Sequence, residues 1–214
     1  MRLVMPRLYV ILDAGLVRGP MQEIAGQLIG VGVRMLQYRA KKASAQEMLE
    51  TASSLAEIAR TRGADFFVND RPDVAYLAGA NGVHVGQDDL SVEQARAVMG
   101  PDRWVGVSTH NLQQFEEAAA SSADYIAIGP IFETATKMNP DPVVGTELIR
   151  RVRPLTTKSI VAIGGIRLNK AADVIEAGAD SVAVISDILG ATDPAEQARQ
   201  FIRRLEAVKP AADH

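Results

Sequence analysis

Two aspartates, Asp70 and Asp89, each follow a short apolar run: Phe66-Phe67-Val68 leads into Asn69-Asp70, and Val83-His84-Val85 leads into Gly86-Gln87-Asp88-Asp89. If the two runs are neighbouring parallel strands, both carboxylates emerge on one side of a sheet. With no cysteine in the chain, such a pair suits a hard, oxygen-liganded ion such as Mg²⁺ better than Zn²⁺. Three cations, Arg39, Lys41 and Lys137, are spaced to share a diphosphate with that ion. Gly164-Gly165, ahead of a helix-like segment, can turn backbone N–H groups toward a second phosphate, with Ser186 further along the chain. Each residue also has a plainer reading. Asp70 would cap the helix that opens at Pro72, Asp88 or Asp89 the one near Ser91, Gly164-Gly165 would be a tight turn, and each cation, Lys42 included, a solvated charge. Their coincidence is what favours chemistry.

The elements that must position these residues are short β-like runs alternating with helix-like segments, the signature of an α/β fold with parallel strands. The strands are expected at Leu8–Leu12, Arg34–Tyr38, Asp65–Val68, Gly82–Val85, Trp104–Val107, Tyr125–Ile128, Ser159–Ile163 and Ser181–Ile185. The clearest helix is Ala45–Arg60, where Met48, Leu49, Ala52, Leu55, Ala56 and Ala59 share a face, and where Ser44 and Glu47 have the spacing of a capping box. Pro72 to Ala78 reads as a crossover helix. Gly63-Ala64-Asp65, Gly79-Ala80-Asn81, Ala123-Asp124 and Gly178-Ala179-Asp180 recur between helix and strand, with glycine as the left-handed residue that ends the helix. Eight such units in 214 residues predict a single (β/α)₈ TIM-barrel domain spanning residues 1–214, with an open doubly wound sheet as the competing architecture.

In a barrel the residues after each strand line one mouth. Here they are Gln37 to Lys41, Asn69-Asp70, Gln87 to Asp89, Ser108 to His110, the long stretch from Gly129 through Lys137, Gly164-Gly165 and Ser186. A loop as long as the one after Ile128 is more often functional than idle in a compact domain. His84 alternates with core-facing positions and reads as a satisfied barrel histidine. His110 stands at the rim.

Bulk properties narrow the function. At 47% apolar content the chain can bury one sizeable core. A net charge of −3 argues against a general nucleic-acid binder. No run is long enough to span a bilayer, and the opening MRLVMPRLYVILD enters a strand with no signal-peptide pattern, so a cytoplasmic location is the simplest expectation. Zero cysteines exclude disulfides, thiolate metal sites and a cysteine nucleophile. The partners expected are small molecules, and assembly into a homo-oligomer is left open.

These motifs resemble the thiamine phosphate synthase family over nearly the whole chain. They are Q-Y-R-x-K at 37 to 41, V-N-D at 68 to 70, G-V-H-V-G-Q-D-D-L at 82 to 90, G-V-S-x-H at 106 to 110, G-P-I-F-x-T-x-T-K at 129 to 137, I-G-G-I at 163 to 166, A-G-A-D at 177 to 180 and I-S at 185 to 186. Tyr38 and Ala40 depart from the family's usual Q-L-R-E-K, and Met138-Asn139 follow the lysine; no role falls on these four. The resemblance implies a barrel enzyme that joins hydroxymethylpyrimidine diphosphate to a (carboxy)thiazole phosphate, giving thiamine phosphate and diphosphate. By the same resemblance Gln37 would hold the aminopyrimidine, and Arg39, Lys41, Asn69 and Lys137 its diphosphate. Asp70 and Asp89 would ligate Mg²⁺, and Ser108 would contact the diphosphate-bearing substrate. Thr134 and Thr136 would meet the thiazole, whose phosphate would lie at Gly165, Ile185 and Ser186. A thiazole tautomerase-like paralogue would have little use for the diphosphate clamp. A phosphate-binding barrel without synthase activity, or a sugar-phosphate epimerase, would leave Asp70 and Asp89 without a task.

Overall fold

The computed structural model describes residues 4–134 and 141–208. Within them lie β1 (Leu8–Asp13), β2 (Met35–Arg39), β3 (Asp65–Asn69), β4 (Gly82–Val85), β5 (Trp104–Thr109), β6 (Tyr125–Ile128), β7 (Ser159–Ile163) and β8 (Ser181–Val184). The helices are α1 (Met21–Gly30), α2 (Ala45–Thr61), α3 (Pro72–Leu77), α4 (Val92–Met99), α5 (Leu112–Ala120), α6 (Gly145–Val152), α7 (Ala171–Glu176), α8 (Ser186–Leu189) and α9 (Pro194–Glu206). Every neighbouring strand pair is parallel. β8 returns to β1, pairing Leu8 with Val182 and Val10 with Val184, so the sheet closes into a (β/α)₈ barrel. Closure rules out the open doubly wound sheet, whose outer strands would each keep an unpaired edge.

The strands read as nearly continuous apolar runs because both of their faces are covered. Along β1, Leu8, Val10 and Leu12 face the helices while Tyr9 and Ile11 face the barrel interior. The interior is filled by Tyr9, Ile11, Met35, Phe67, Tyr125, Ala127, Val161 and Ala183. Its large rings fit because neighbouring strands carry glycine at the facing positions. A Cβ added at Gly106 would lie 2.0 Å from the Tyr125 ring, and one at Gly82 would lie 2.3 Å from Phe67.

Outside the barrel, α2 buries Met48, Ala52, Leu55, Ala56 and Ala59. Its N-terminus is closed by the expected capping box, in which the Glu47 amide donates to the Ser44 hydroxyl and the Glu47 carboxylate accepts from the Ser44 amide. The recurring helix-to-strand corner has two parts. Gly63, Gly79 and Gly178 take the left-handed turn, with φ of 69°, 71° and 110°. The polar residue that follows then ties down the preceding strand. Asn81 accepts from the Phe66 amide at 2.9 Å, Asp124 from Val105 at 2.7 Å and Asp180 from Ile160 at 2.7 Å. Those ties close the barrel face opposite the mouth.

The end of the barrel differs from the sequence expectation. β8 stops at Val184, and Ile185 turns the chain into the one-turn α8. α9, capped by Asp193 with Pro194 in its first turn, then buries Ala198, Phe201 and Leu205 and packs on α1 and α7.

Candidate active site

A cavity of about 420 Å³ opens at the carboxyl ends of the strands. Its floor is the top layer of the barrel interior, where strand alternation turns Tyr9, Gln37, His84 and Ser108 inward. These side chains are joined in sequence. Gln37 Nε2 donates to the Tyr9 hydroxyl at 2.7 Å, Tyr9 and Tyr125 hydroxyls lie 3.3 Å apart, Tyr125 is 2.9 Å from His84 Nδ1, and His84 Nε2 is 2.8 Å from Ser108 Oγ. Burial lowers the His84 pKa to about 4 and raises those of both tyrosines, so the floor is neutral at physiological pH. His84 is thus satisfied in the core, as its place in the strand suggested.

Charge gathers at the rim. Asp70 is the one non-glycine residue with positive φ among the described residues, at 65°, a conformation that aspartate tolerates better than most. Its amide donates to the His84 carbonyl at 2.7 Å, and the Arg71 amide turns back to the Asn69 carbonyl at 2.9 Å. This tight reversal sets the Asp70 carboxylate at the mouth, paired with Lys41 and beside Asp89. Asp89 also accepts from the Gly86 amide at 2.7 Å. Burial, then the neighbouring Asp70 carboxylate, push the Asp89 carboxyl above its ordinary range. Neither aspartate is a helix cap. Arg71 holds the cap position of α3, and Ser91 and Gln94 form the capping box of α4. On the neighbouring strand β2, Arg39 is held by Asp13, whose other oxygen accepts from the Gly15 amide at 2.8 Å.

The far wall is built by two loops fastened together. Ile131 and Phe132 amides donate to the Ile163 and Gly164 carbonyls, at 2.9 and 3.0 Å. Gly165 has φ of 65°, and a Cβ there would meet the Glu133 carbonyl at 2.3 Å. Gly165 is therefore needed for this loop contact whatever it binds. His110 sits at the rim as expected, its Nδ1 2.6 Å from the Gly129 carbonyl and its Nε2 3.5 Å from Asp141.

Of the residues expected to act, Gln37, Arg39, Lys41 and Asn69 line this cavity, as do Asp70, Asp89, Ser108, Thr134 and Ile185. Gly165 and Ser186 stand one residue beyond Gly164 and Ile185, which do line it. Ser186 opens α8. Thr136 and Lys137 lie outside the described residues. Sequence reasoning passed over Tyr9, Tyr125 and Asp13. The alternation along β1 marks Tyr9 as inward-facing, but nothing local marks its partner 116 positions away.

Two carboxylates side by side, the charged form of Asp89 disfavoured by burial and then by Asp70, are a donor set that a hard cation would relieve. Among the described residues no group of three or more His, Cys, Asp or Glu could hold a metal ion. No helix among the described residues is long and apolar enough to cross a membrane.

A family model described as thiamine monophosphate synthase matches residues 8–188. The chain is 49% identical over 211 residues to the thiamine-phosphate synthase of Koribacter versatilis (strain Ellin345), covering 96% of this chain and 98% of the relative. It is 45% identical over 197 residues to that of Chloroflexus aurantiacus, covering 91% and 90%. Among solved structures, thiamine phosphate pyrophosphorylase from Pyrococcus furiosus superposes with a TM-score of 0.86 at 33% identity, covering 94% of this chain and 96% of that one.

Proposed function

Because the chain belongs to the thiamine monophosphate synthase family and is thus a transferase, we propose that it condenses 4-amino-2-methyl-5-(diphosphooxymethyl)pyrimidine with a (carboxy)thiazole phosphate, releasing diphosphate and, where the thiazole is carboxylated, CO₂. The observation that carries this reading is one cavity with a neutral, hydrogen-bonding floor and a rim holding both a carboxylate pair and cations. A flat aminopyrimidine suits the floor, and its diphosphate suits the rim.

In this reading Gln37 and Ser108 face the pyrimidine end. Arg39, Lys41, Asn69 and Lys137 gather the diphosphate, and Asp70 and Asp89 would hold Mg²⁺. The ion, when bound, neutralises charge on the leaving diphosphate. Arg39 and Lys41 are each paired with a carboxylate, so arriving phosphate oxygens would share cations that are already aligned. Departure of diphosphate leaves a cation that the electron-rich aminopyrimidine supports, and the thiazole nitrogen then attacks it. Preorganised charge and positioning do the work, and no protein nucleophile is required. Thr134 and Thr136 orient the thiazole, and the backbone at Gly165, Ile185 and Ser186 receives its phosphate. Incubation with both precursors and Mg²⁺ should yield thiamine phosphate and diphosphate in equal amounts. Diphosphate release without the coupled product would overturn the reading.

A further inference from the structure

The five hydrogen-bonded groups of the cavity floor come from five strands and cross the barrel from one wall to the other, Gln37 on β2, Tyr9 on β1, Tyr125 on β6, His84 on β4 and Ser108 on β5. Gln37, Tyr9, Tyr125 and His84 are buried. A buried hydroxyl or ring N–H must give its proton to an acceptor, and each phenol has one proton to give. Those two conditions fix the direction of the chain. Gln37 spends an amide N–H on Tyr9, so Tyr9 donates to Tyr125. Tyr125 in turn donates to His84 Nδ1. His84 then carries its proton on Nε2 and donates to Ser108 Oγ, which leaves the Ser108 hydrogen pointing away from the chain.

We propose that Tyr9, Tyr125 and His84 are positioning residues, a one-way relay that locks His84 as its Nε2–H tautomer and presents the Gln37 carbonyl oxygen and the Ser108 hydroxyl hydrogen to the aminopyrimidine. The opposite direction would consume the Gln37 carbonyl oxygen at Tyr9 and turn lone pairs of Ser108 outward. An aminopyrimidine offers an exocyclic amine as donor and ring nitrogens as acceptors. The direction that the Gln37 Nε2 contact sets places the acceptor on the Gln37 wall and the donor on the Ser108 wall; the opposite direction would exchange the two. The relay is uncharged throughout, since burial holds His84 neutral and both phenols protonated. It is also braced from the side, with the His84 and Tyr125 rings stacked at 5.6 Å and Tyr9 edge-on to Tyr125 at 6.2 Å. The tautomer follows from the Gln37 Nε2 contact with Tyr9 together with the neutrality of buried His84; its use in pyrimidine recognition rests on the proposed function.

Long-range ¹H–¹⁵N correlation spectra of the ligand-free, ¹⁵N-labelled protein read the tautomer directly, with His84 identified by substituting the other two histidines, His110→Gln and His214→Gln. A single Nε2–H form is expected, and an Nδ1–H form would overturn the proposal. Tyr125→Phe removes the donor to Nδ1. A second tautomer should then appear, and affinity for the pyrimidine diphosphate should fall about tenfold, the loss of one hydrogen bond's alignment. Inorganic diphosphate, which reads only the rim, should bind as before. Equal losses for both ligands, or no loss for either, would sink the positioning role. Tyr9→Phe, which cuts the relay at the Gln37 end, serves the same test if Tyr125→Phe does not fold. An inactive wild-type protein with the Nε2–H tautomer intact would count against the proposed function and leave the relay standing.

Discussion

Aspartates stand at both ends of this barrel, and their surroundings differ. On the face opposite the mouth Asp124 accepts the Val105 amide and pairs with Arg96 at 2.5 Å, and Asp180 accepts the Ile160 amide and pairs with Arg153 at 2.7 Å. Each of those carboxylates is tied to the backbone of the neighbouring strand and balanced by an arginine. At the mouth Asp70 and Asp89 stand side by side, with the exposed Lys41 paired to Asp70. The same residue type is balanced by an arginine at one end and, at the other, crowded by a second carboxylate that helps push Asp89 above its ordinary range. In barrels the first arrangement stabilises and the second is kept for a ligand.

The sharpest test of this contrast is Asp70→Asn, which keeps a residue suited to the left-handed backbone while removing the charge. Turnover at ordinary Mg²⁺ should fall by roughly 10²-fold, the scale of losing one preorganised electrostatic group, while the melting temperature stays near wild type. Retained turnover would show that the Asp70 charge has no part in the reaction. Asp124→Ala should behave in the opposite way. It leaves the Val105 amide and Arg96 without their acceptor, and unfolding free energy should drop by about 2–3 kcal/mol with kcat at moderate temperature little changed; denaturant titration and an activity assay would separate the two effects.

Between the two ends lies the neutral floor, and its signature is a pH dependence. Burial holds His84 at about 4 when folded, below its ordinary 6.5. The unfolded chain therefore binds the proton more readily between those values, and stability is complete above pH 6.5 and is lost as pH falls toward 4. From pH 7 to pH 5 the loss should be about 2 kcal/mol by linkage, and His84→Gln should flatten it. Smallest of all, Lys41→Ala should change stability by no more than about 0.5 kcal/mol, since the lysine is more than half exposed. The same variant should weaken diphosphate binding. A large stability loss would mean that the mouth is fastened in the way the opposite face is.

Much of this arrangement is legible in the sequence because it is local. Gly82 to Val85 and Tyr125 to Ile128 have the expected bounds, since glycine and aspartate bracket short apolar runs, and the Ser44–Glu47 cap is read from spacing alone. Asp70 and Asp89 were brought together by one inference, that β3 and β4 are parallel neighbours, which their pairing bears out. What stayed hidden depends on closure. Gly82 and Gly106 look like strand-weakening residues until Phe67 and Tyr125 are seen to occupy the space of their missing side chains. The Tyr9–Tyr125 contact joins strands far apart in the chain, and the Asp13–Arg39 pair needs the register of β1 against β2. Ile185 belongs to a turn and not to β8, because an apolar residue after an apolar strand carries no local stop signal.

The seam between β1 and β8 has a consequence for how the molecule is made. Leu8 to Asp13 is buried along its whole length, and one of its two edges is covered only by β8. At a synthesis rate of roughly 5–20 residues per second, the interval between making the two strands is on the order of ten to forty seconds. Throughout that interval the nascent chain carries LYVILD as an unpaired apolar edge, the kind of segment that recruits other chains. A ribosome-bound chain halted before Ser181 should therefore be held by chaperones, and release of the last strand should free it.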